Sequence, residues 1–319
     1  MTTPFPLLKL PQLPFIVYVQ ALHLWSLINL SVCSLRTRNL IKECRKEISV
    51  LAKPRSFMIS CDGVRFFINL EDERTGERPT DIVQMNKTSV RIVRKQDNFW
   101  LIKCSAILDG WKLVMEHLMN TFHVSINLEI VGERHLFEYL TGHPKNPKID
   151  ELTVSSNFVD DVDMKFYLEN FHNDELCFLS NQNKTFRFNG IFGSFKIFTC
   201  MPAEWITREN LLSLNCERIK LDQCSLTNED LNMALKKWID GRSPQLSVME
   251  IGLRLEYIQI AKIMDGIEIL KEASLQEQNN LNFHVPRQSY ILNVDGLKGF
   301  FTSMQTNFVF TVSREDNNQ

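Results

Sequence analysis

The side chains best suited to chemistry are seven histidines, eight cysteines and the acidic run Asp160-Asp161-Val162-Asp163. The histidines (His23, His117, His123, His135, His143, His172 and His284) stand singly, with no HExxH pair and no Cys/His spacing for zinc, so no metal centre is expected. The acidic run lacks the glycine and distal glutamate of a calcium loop and reads as the acidic first turn of a helix, where the macrodipole favours it. Gly190-Ile191-Phe192-Gly193 has too few glycines, and no helix start, for a phosphate cradle. A cysteine nucleophile needs a histidine beside it, and no motif places one there. The expectation is a chain with no catalytic residues and no cofactor, not an enzyme.

The eight cysteines (Cys33, Cys44, Cys61, Cys104, Cys177, Cys200, Cys216 and Cys224) form no CxxC pair, and several have apolar neighbours, as in Leu176-Cys177-Phe178-Leu179. In a chain of 319 residues that pattern reads as reduced, buried thiols and a cytoplasmic or nuclear location. The Phe run Phe186, Phe188, Phe192, Phe195 and Phe198 reads as core filling before it reads as a binding patch.

The formal net charge of -2 conceals an asymmetry. Residues 1–55 hold eight basic and two acidic side chains, a net of +6, and the remainder sums to -8. A mildly acidic majority argues against nucleic acid as the partner. From Leu10 to Leu35 there is no charged residue, a length that could span a bilayer. Pro11, Pro14, Gln20, His23, Ser26, Asn29, Ser31 and Ser34 interrupt it with polar groups and helix breakers, so no membrane segment is expected.

The elements that must position these residues begin with a small helical module. Phe5 to Pro11 reads as an extended lead-in, because each proline biases its predecessor away from helix. Phe15 to Leu22 and Leu24 to Leu30 read as two short helices, the second with Ser26 as a cap. A third starts at Ser34, with Leu35, Leu40 and Ile41 apolar and Arg36, Arg38, Lys42 and Arg45 outside. The order Phe5-Pro6-Leu7-Leu8-Lys9-Leu10-Pro11, then Leu27-Ile28-Asn29-Leu30-Ser31-Val32-Cys33-Ser34-Leu35-Arg36, resembles the F-box of the large nematode F-box family. That resemblance implies a three-helix module over 1–48 that binds a Skp-type adaptor and, through it, a cullin ubiquitin ligase. By the same match Leu8, Leu10 and Pro11 correspond to the leading signature, and Leu27, Leu30, Cys33 and Arg36 to the later helix that meets the adaptor.

Residues 49–124 read as a strand-rich connection. Ser56–Ser60 and Val64–Ile68 flank Asp62-Gly63, a hairpin signal, and Thr88–Arg94 alternates in a way that pairs with Phe99–Lys103. Trp111, Val114, Met115, Leu118, Met119 and Phe122 recur at helical spacing. From residue 125 onward, short apolar strands at 126–130, 149–154, 176–179, 195–198, 219–221 and 246–251 alternate with helical stretches in most gaps. Such spacing suggests an irregular leucine-rich-repeat-like βα solenoid over 125–319. The clearest unit has Thr227 with Asp230 as a capping box, then Leu231, Leu235, Trp238 and Ile239 on one face, and Gly241 as the stop. Ser289–Asn293 and Phe308–Val312, with Asp295-Gly296 between them, read as closing strands.

Leu211 to Leu221, Leu226 to Asn232 and Leu235 to Gly241 also resemble the F-box-associated type 2 region of the same nematode proteins, over about 196–265. Together the two resemblances imply an α+β / α/β chain acting as the substrate-recognition subunit of an SCF-type ligase, with the carboxy-terminal part binding an unidentified target protein. The residues themselves leave a second class open: a non-catalytic interaction scaffold whose F-box-like end is degenerate.

Overall fold

The computed structural model describes residues 12–183, 185–271 and 289–314, and the leading Leu8, Leu10 and Pro11 lie outside them. The chain forms two units, residues 1–152 and 153–319, each mixed α/β.

The first unit opens with α1 (Gln12–Ala21), α2 (Leu24–Ser31) and α3 (Leu35–Glu43). Ser34 caps α3, its hydroxyl accepting from the Thr37 N–H at 3.1 Å. The cap expected at Ser26 does not form. That residue lies inside the first turn of α2, where its N–H already donates to His23 O at 3.0 Å, and His23 takes the cap position without a side-chain bond.

Next come β1 (Glu47–Lys53), β2 (Ser56–Cys61), β3 (Val64–Asp72), β4 (Asp81–Met85), β5 (Thr88–Gln96) and β6 (Phe99–Cys104). After α4 (Ile107–Thr121) follow β7 (His123–Ile130), α5 (Arg134–Thr141) and β8 (Ile149–Val154). The spatial order is β4-β5-β6-β3-β2-β1-β7-β8, with β3 parallel to β6 and β1 parallel to β7. Asp62 and Gly63 both take positive φ (52° and 77°), the geometry of a two-residue hairpin turn, and Cys61 faces Val64 across it as the dipeptide predicts. Ile48, Val50 and Ala52 alternate inward with Phe57, Ile59, Phe66 and Ile68. On that face Trp111, Val114, Met115 and Leu118 of α4 are buried, and Trp111 Nε1 donates to Lys53 O at 2.9 Å. Burying a tryptophan of this kind contributes about 3–5 kcal/mol.

The second unit is ordered around β9 (Glu175–Phe178), β10 (Ile197–Cys200), β11 (Arg218–Cys224) and β12 (Val248–Leu253), four short neighbouring parallel strands in chain order. α6 (Asp161–Asn170) precedes them, capped by Asp160, whose carboxylate accepts from Asp163 N at 2.8 Å. The acidic run is thus a helix start. α7 (Arg208–Ser213) and α8 (Asn228–Ile239) fill the next two connections, each opened by a capping box: Thr207 with Asn210, and Thr227 with Asp230. Leu231, Leu235 and Trp238 are buried, and Gly241 leaves the helix at φ 72°, as their spacing predicts.

The connection from β9 to β10 is a gap without a helix among its described residues, where helical stretches were expected in most gaps. Its aromatic residues pack on one another, with Phe195 and Phe198 stacked at 5.3 Å and Phe186 against Trp205 at 5.2 Å. Gly193 lies so close to α6 that a Cβ would sit 2.0 Å from Phe171 O, and its N–H donates to Leu168 O at 2.6 Å. Aromatic burial at this spacing does not need a helical repeat, so the segment follows the helix end.

Past β12 come α9 (Ile260–Ile263), β13 (Leu270–Lys271), β14 (Ser289–Leu292), β15 (Lys298–Met304) and β16 (Asn307–Ser313). β16 pairs antiparallel with β12, and β15, β14 and β13 follow outward. The closing strands are therefore three hairpin-linked partners rather than two. β15 was not legible as a strand, although Gly296 (φ 78°) makes the turn that its Asp-Gly sequence predicts.

Candidate functional site

The N-terminal helices present apolar side chains on two sides. Leu24, Leu27 and Ile28 of α2 are buried, and α2 packs on α3 and β3 while α3 packs on α4. The opposite side is open: Val17 is 60% exposed, Tyr18 43% and Trp25 39%. In α1 Val19 is buried while Val17 and Tyr18 are exposed, so its apolar side chains stand on more than one side.

Beside this surface runs a groove of about 610 Å³ between the helices and the β5–β6 turn. Tyr18, Leu22, Trp25 and Leu30 line one wall, and Arg94, Lys95, Gln96 and Asp97 the other. Arg94 is fixed there. Its Nε donates to Asp81 at 2.8 Å, its Nη1 bonds Asn29 Oδ1, and its guanidinium lies 5.3 Å from the Trp100 ring centre. Lys95 pairs with Glu77. The groove thus joins aromatic anchors to cations already neutralised by acids, a surface suited to docking an apolar helix or strand.

The sequence-derived adaptor residues separate on this surface. Leu30 is half-buried and lines the groove, whereas Leu27 is completely buried (0% exposed) and serves packing. Cys33 and Arg36 are exposed near the α2–α3 turn, and the Cys33 thiol donates to Asn29 O at 3.1 Å. Tyr18, Leu22 and Trp25 were not among the residues expected to meet a partner. Their signal was available in the uncharged run, where aromatic residues stand without flanking acids.

The second unit offers a different surface. Trp238 of α8 meets Phe310 at 4.9 Å, which marks the buried rows Phe198, Ile219, Met249 and Phe310 as the helix side of the sheet. On the other side Glu175, Ile197, Arg218, Val248, Thr311, Phe300 and Tyr290 stand in register across seven strands, half-buried or exposed. A pit of about 370 Å³ opens in this face, with Lys220, Asp222, Glu250 and Asn307 around Gly252. A Cβ on Gly252 would meet Asp222 Oδ1 at 2.4 Å, so glycine keeps the pit open.

At the end of these strands Leu255 (75% exposed), Tyr257 (73%) and Met304 (60%) form an apolar rim. Its backbone is pinned. Leu253 N donates to Thr306 O and Ile258 N to Gln305 O, both at 2.8 Å. Buried Asn228 donates to Glu256 Oε2 at 2.7 Å and Tyr257 O at 3.1 Å, and accepts from Gln259 N at 2.8 Å. A half-apolar rim pinned by these bonds, beside an open sheet face, is equipped for protein contact.

Cys44, Cys177, Cys200, Cys216 and Cys224 are buried as expected, whereas Cys61 and Cys104 are half-buried and Cys33 is exposed. Burial pushes Cys216 up to about 12 and Cys224 up to about 11, so neither supplies a thiolate at neutral pH. All eight cysteines are free. Among the described residues no His/Cys/Asp/Glu cluster could hold a metal ion, and no helix is long and apolar enough to cross a membrane.

Residues 165–251, wholly within the second unit, match the family described as "F-box associated". The match overlaps the resemblance read over 196–265 and begins earlier, at α6. The chain is 24% identical over 340 residues to the Skn-1 dependent zygotic transcript 15 protein of Caenorhabditis elegans, covering 96% of each. It is 21% identical to an uncharacterized C. elegans protein, covering 94% of this chain and 72% of that one. A 91-residue stretch is 30% identical to the C. elegans E3 ubiquitin-protein ligase hecw-1, 27% of this chain but 7% of that one. No solved structure matches. The second unit therefore carries an F-box-associated segment, in a chain similar to nematode proteins along nearly its whole length.

Proposed function

We propose that this protein is the substrate-recognition subunit of an SCF-type cullin ubiquitin ligase, with the N-terminal helices as its F-box and the second unit as its target-binding part. The observation that carries the reading is the F-box-associated match over 165–251, and the F-box-like order of residues read in the sequence ahead of it supports the same reading. In this reading Leu8, Leu10, Pro11, Leu27, Leu30, Cys33 and Arg36 belong to the adaptor-binding module. The exposed Val17, Tyr18 and Trp25 supply its contact surface, and Leu27 holds the module in shape. A Skp-type adaptor docks there and links the chain to a cullin. The target protein lies against the helix-free face and the Leu255–Tyr257–Met304 rim, on a solenoid-like stack whose strands β9 to β12 begin 22, 21 and 30 residues apart. The chain acts by binding, without a catalytic step or a cofactor of its own. Its eight free cysteines support a cytoplasmic or nuclear location.

One observation favours the alternative, a scaffold with a degenerate F-box. α2 is built into the first unit through Leu27, Ile28 and the Ser31–His117 bond, as a packing element would be. Co-expression with a Skp-type adaptor and a cullin separates the readings. The ligase reading expects both to co-purify with the wild-type chain and to be lost with a folded Val17→Asp/Trp25→Asp variant. Retention by that variant, or no co-purification at all, sinks it.

A further inference from the structure

A second recess in the first unit lies where the ends of α3 and α4 meet the start of β7, with a volume of about 370 Å³. Its floor is apolar: Met119 and Phe122 are almost fully buried, with Val124 and Pro147 beside them. Its rim carries Lys42, His123 and Lys145.

Lys145 at this rim and Arg38 behind it donate to neutral groups. Lys145 Nζ donates to Met119 O at 3.0 Å and to Asn120 Oδ1, and Arg38 Nη1 donates to Asn86 Oδ1 at 2.9 Å. Among the described residues neither of these, nor Lys42, pairs with a carboxylate. Burial, then the charges of Lys42 and Arg38, hold Lys145 below the usual lysine range, which agrees with three positive charges converging on one place. Of the nearby acids, Glu116 offsets Lys145 in part, by less than burial and the two cations lower it. Glu116 accepts from the Tyr139 hydroxyl at 3.0 Å, Glu47 stands in register with His123, and Glu43 follows Lys42 at the end of α3.

We propose that this recess binds an acidic peptide segment of a partner protein, one apolar side chain entering over Met119 and Phe122 while flanking carboxylates meet Lys42 and Lys145. The volume suits one large side chain with its neighbours. Charge complementarity selects the occupant, because an acidic chain supplies the carboxylate partners that Lys42 and Lys145 lack among the described residues. The proposal goes beyond the ligase reading, and since no adaptor enters its test, the two stand or fall separately.

Fluorescence anisotropy on the full chain tests it, with a labelled eight-residue peptide alternating Leu and Glu and a Leu/Gln counterpart. The Leu/Glu peptide should bind at least tenfold more tightly than the Leu/Gln one and weaken as salt rises. Lys42→Glu/Lys145→Glu should lose tenfold or more while keeping a cooperative unfolding transition, and Lys42→Gln/Lys145→Gln, whose amide can still donate to Met119 O, several-fold. Lys165→Glu/Lys262→Glu, the same charge change in the second unit, should bind as wild type does. Equal binding of both peptides, or no loss in the Lys42/Lys145 variants, overturns the proposal. So does binding to phosphatidylserine vesicles in place of the peptide.

Discussion

Ser31 Oγ and His117 Nε2 lie 2.9 Å apart in the buried seam between α2 and α4. The Ser31 hydroxyl donates its proton to Ile28 O at 2.7 Å, so it accepts from His117, whose Nε2 must carry the hydrogen. Nδ1 is then a bare acceptor, and it has no hydrogen-bond partner. Protonating it would bury a charge. Burial, helped by nearby Arg38, accordingly lowers the group to about 3.

Burial of this imidazole makes stability depend on pH. The unfolded His117 takes up a proton near pH 6.5 while the folded one does not, so stability is full above that value and falls as pH drops toward 3. Between pH 7.5 and 5 the loss from this residue should be about 2 kcal/mol. Denaturant unfolding of wild type and His117→Gln at the two pH values checks it. The variant should lose less by that amount, and identical slopes would show that His117 titrates normally in the folded chain.

Asn228 is completely buried and ties the 256–259 segment to the start of α8. Asn228→Ala removes these bonds and leaves Tyr257 O and the Gln259 N–H short of a partner. The expected cost is about 2–3 kcal/mol. Hydrogen exchange should show faster exchange at 255–259, with protection kept in β10 and β11.

Gly193 offers a sharper steric test. In Gly193→Ala the new Cβ would stand 2.0 Å from Phe171 O, a backbone atom that cannot rotate aside. The chain must shift away from α6, at a cost of about 1–3 kcal/mol. Thermal unfolding should show a lowered Tm, whereas Gly132→Ala, which meets nothing within 4 Å, should lose only what its positive φ of 87° imposes.

Local signals were the legible ones. The Asp62-Gly63 turn, the stripe from Trp111 to Leu118 and the Thr227/Asp230 box each specify structure within a few residues. What escaped was long-range. Nothing in Glu47–Lys53 announces its parallel partner β7, more than seventy residues on, because pairing register is set by the folded sheet and not by either strand alone. β15 was missed because Phe300 and Phe301 face opposite sides of its sheet and produce no clean alternation. The candidate docking surface was legible only in part: sequence order pointed to Leu27 and Leu30, but burial divides them, and the exposed aromatics Tyr18 and Trp25 precede both.

That division yields a contrast between two substitutions. Leu27→Ala should cost about 2–5 kcal/mol of stability. Trp25→Ala, at a 39% exposed position, should cost less than Leu27→Ala and weaken any partner that docks on α1 and α2. Unfolding curves for both variants check the first half of this contrast.

Titration calorimetry of the full chain with a purified Skp-type adaptor tests the central claim most directly. Wild type should bind with a micromolar or tighter Kd, Trp25→Ala at least tenfold more weakly at a near-unchanged Tm, and His117→Gln as wild type does. No heat of binding from a folded wild-type chain, or equal affinity in Trp25→Ala, would contradict an adaptor-docking surface on α1 and α2.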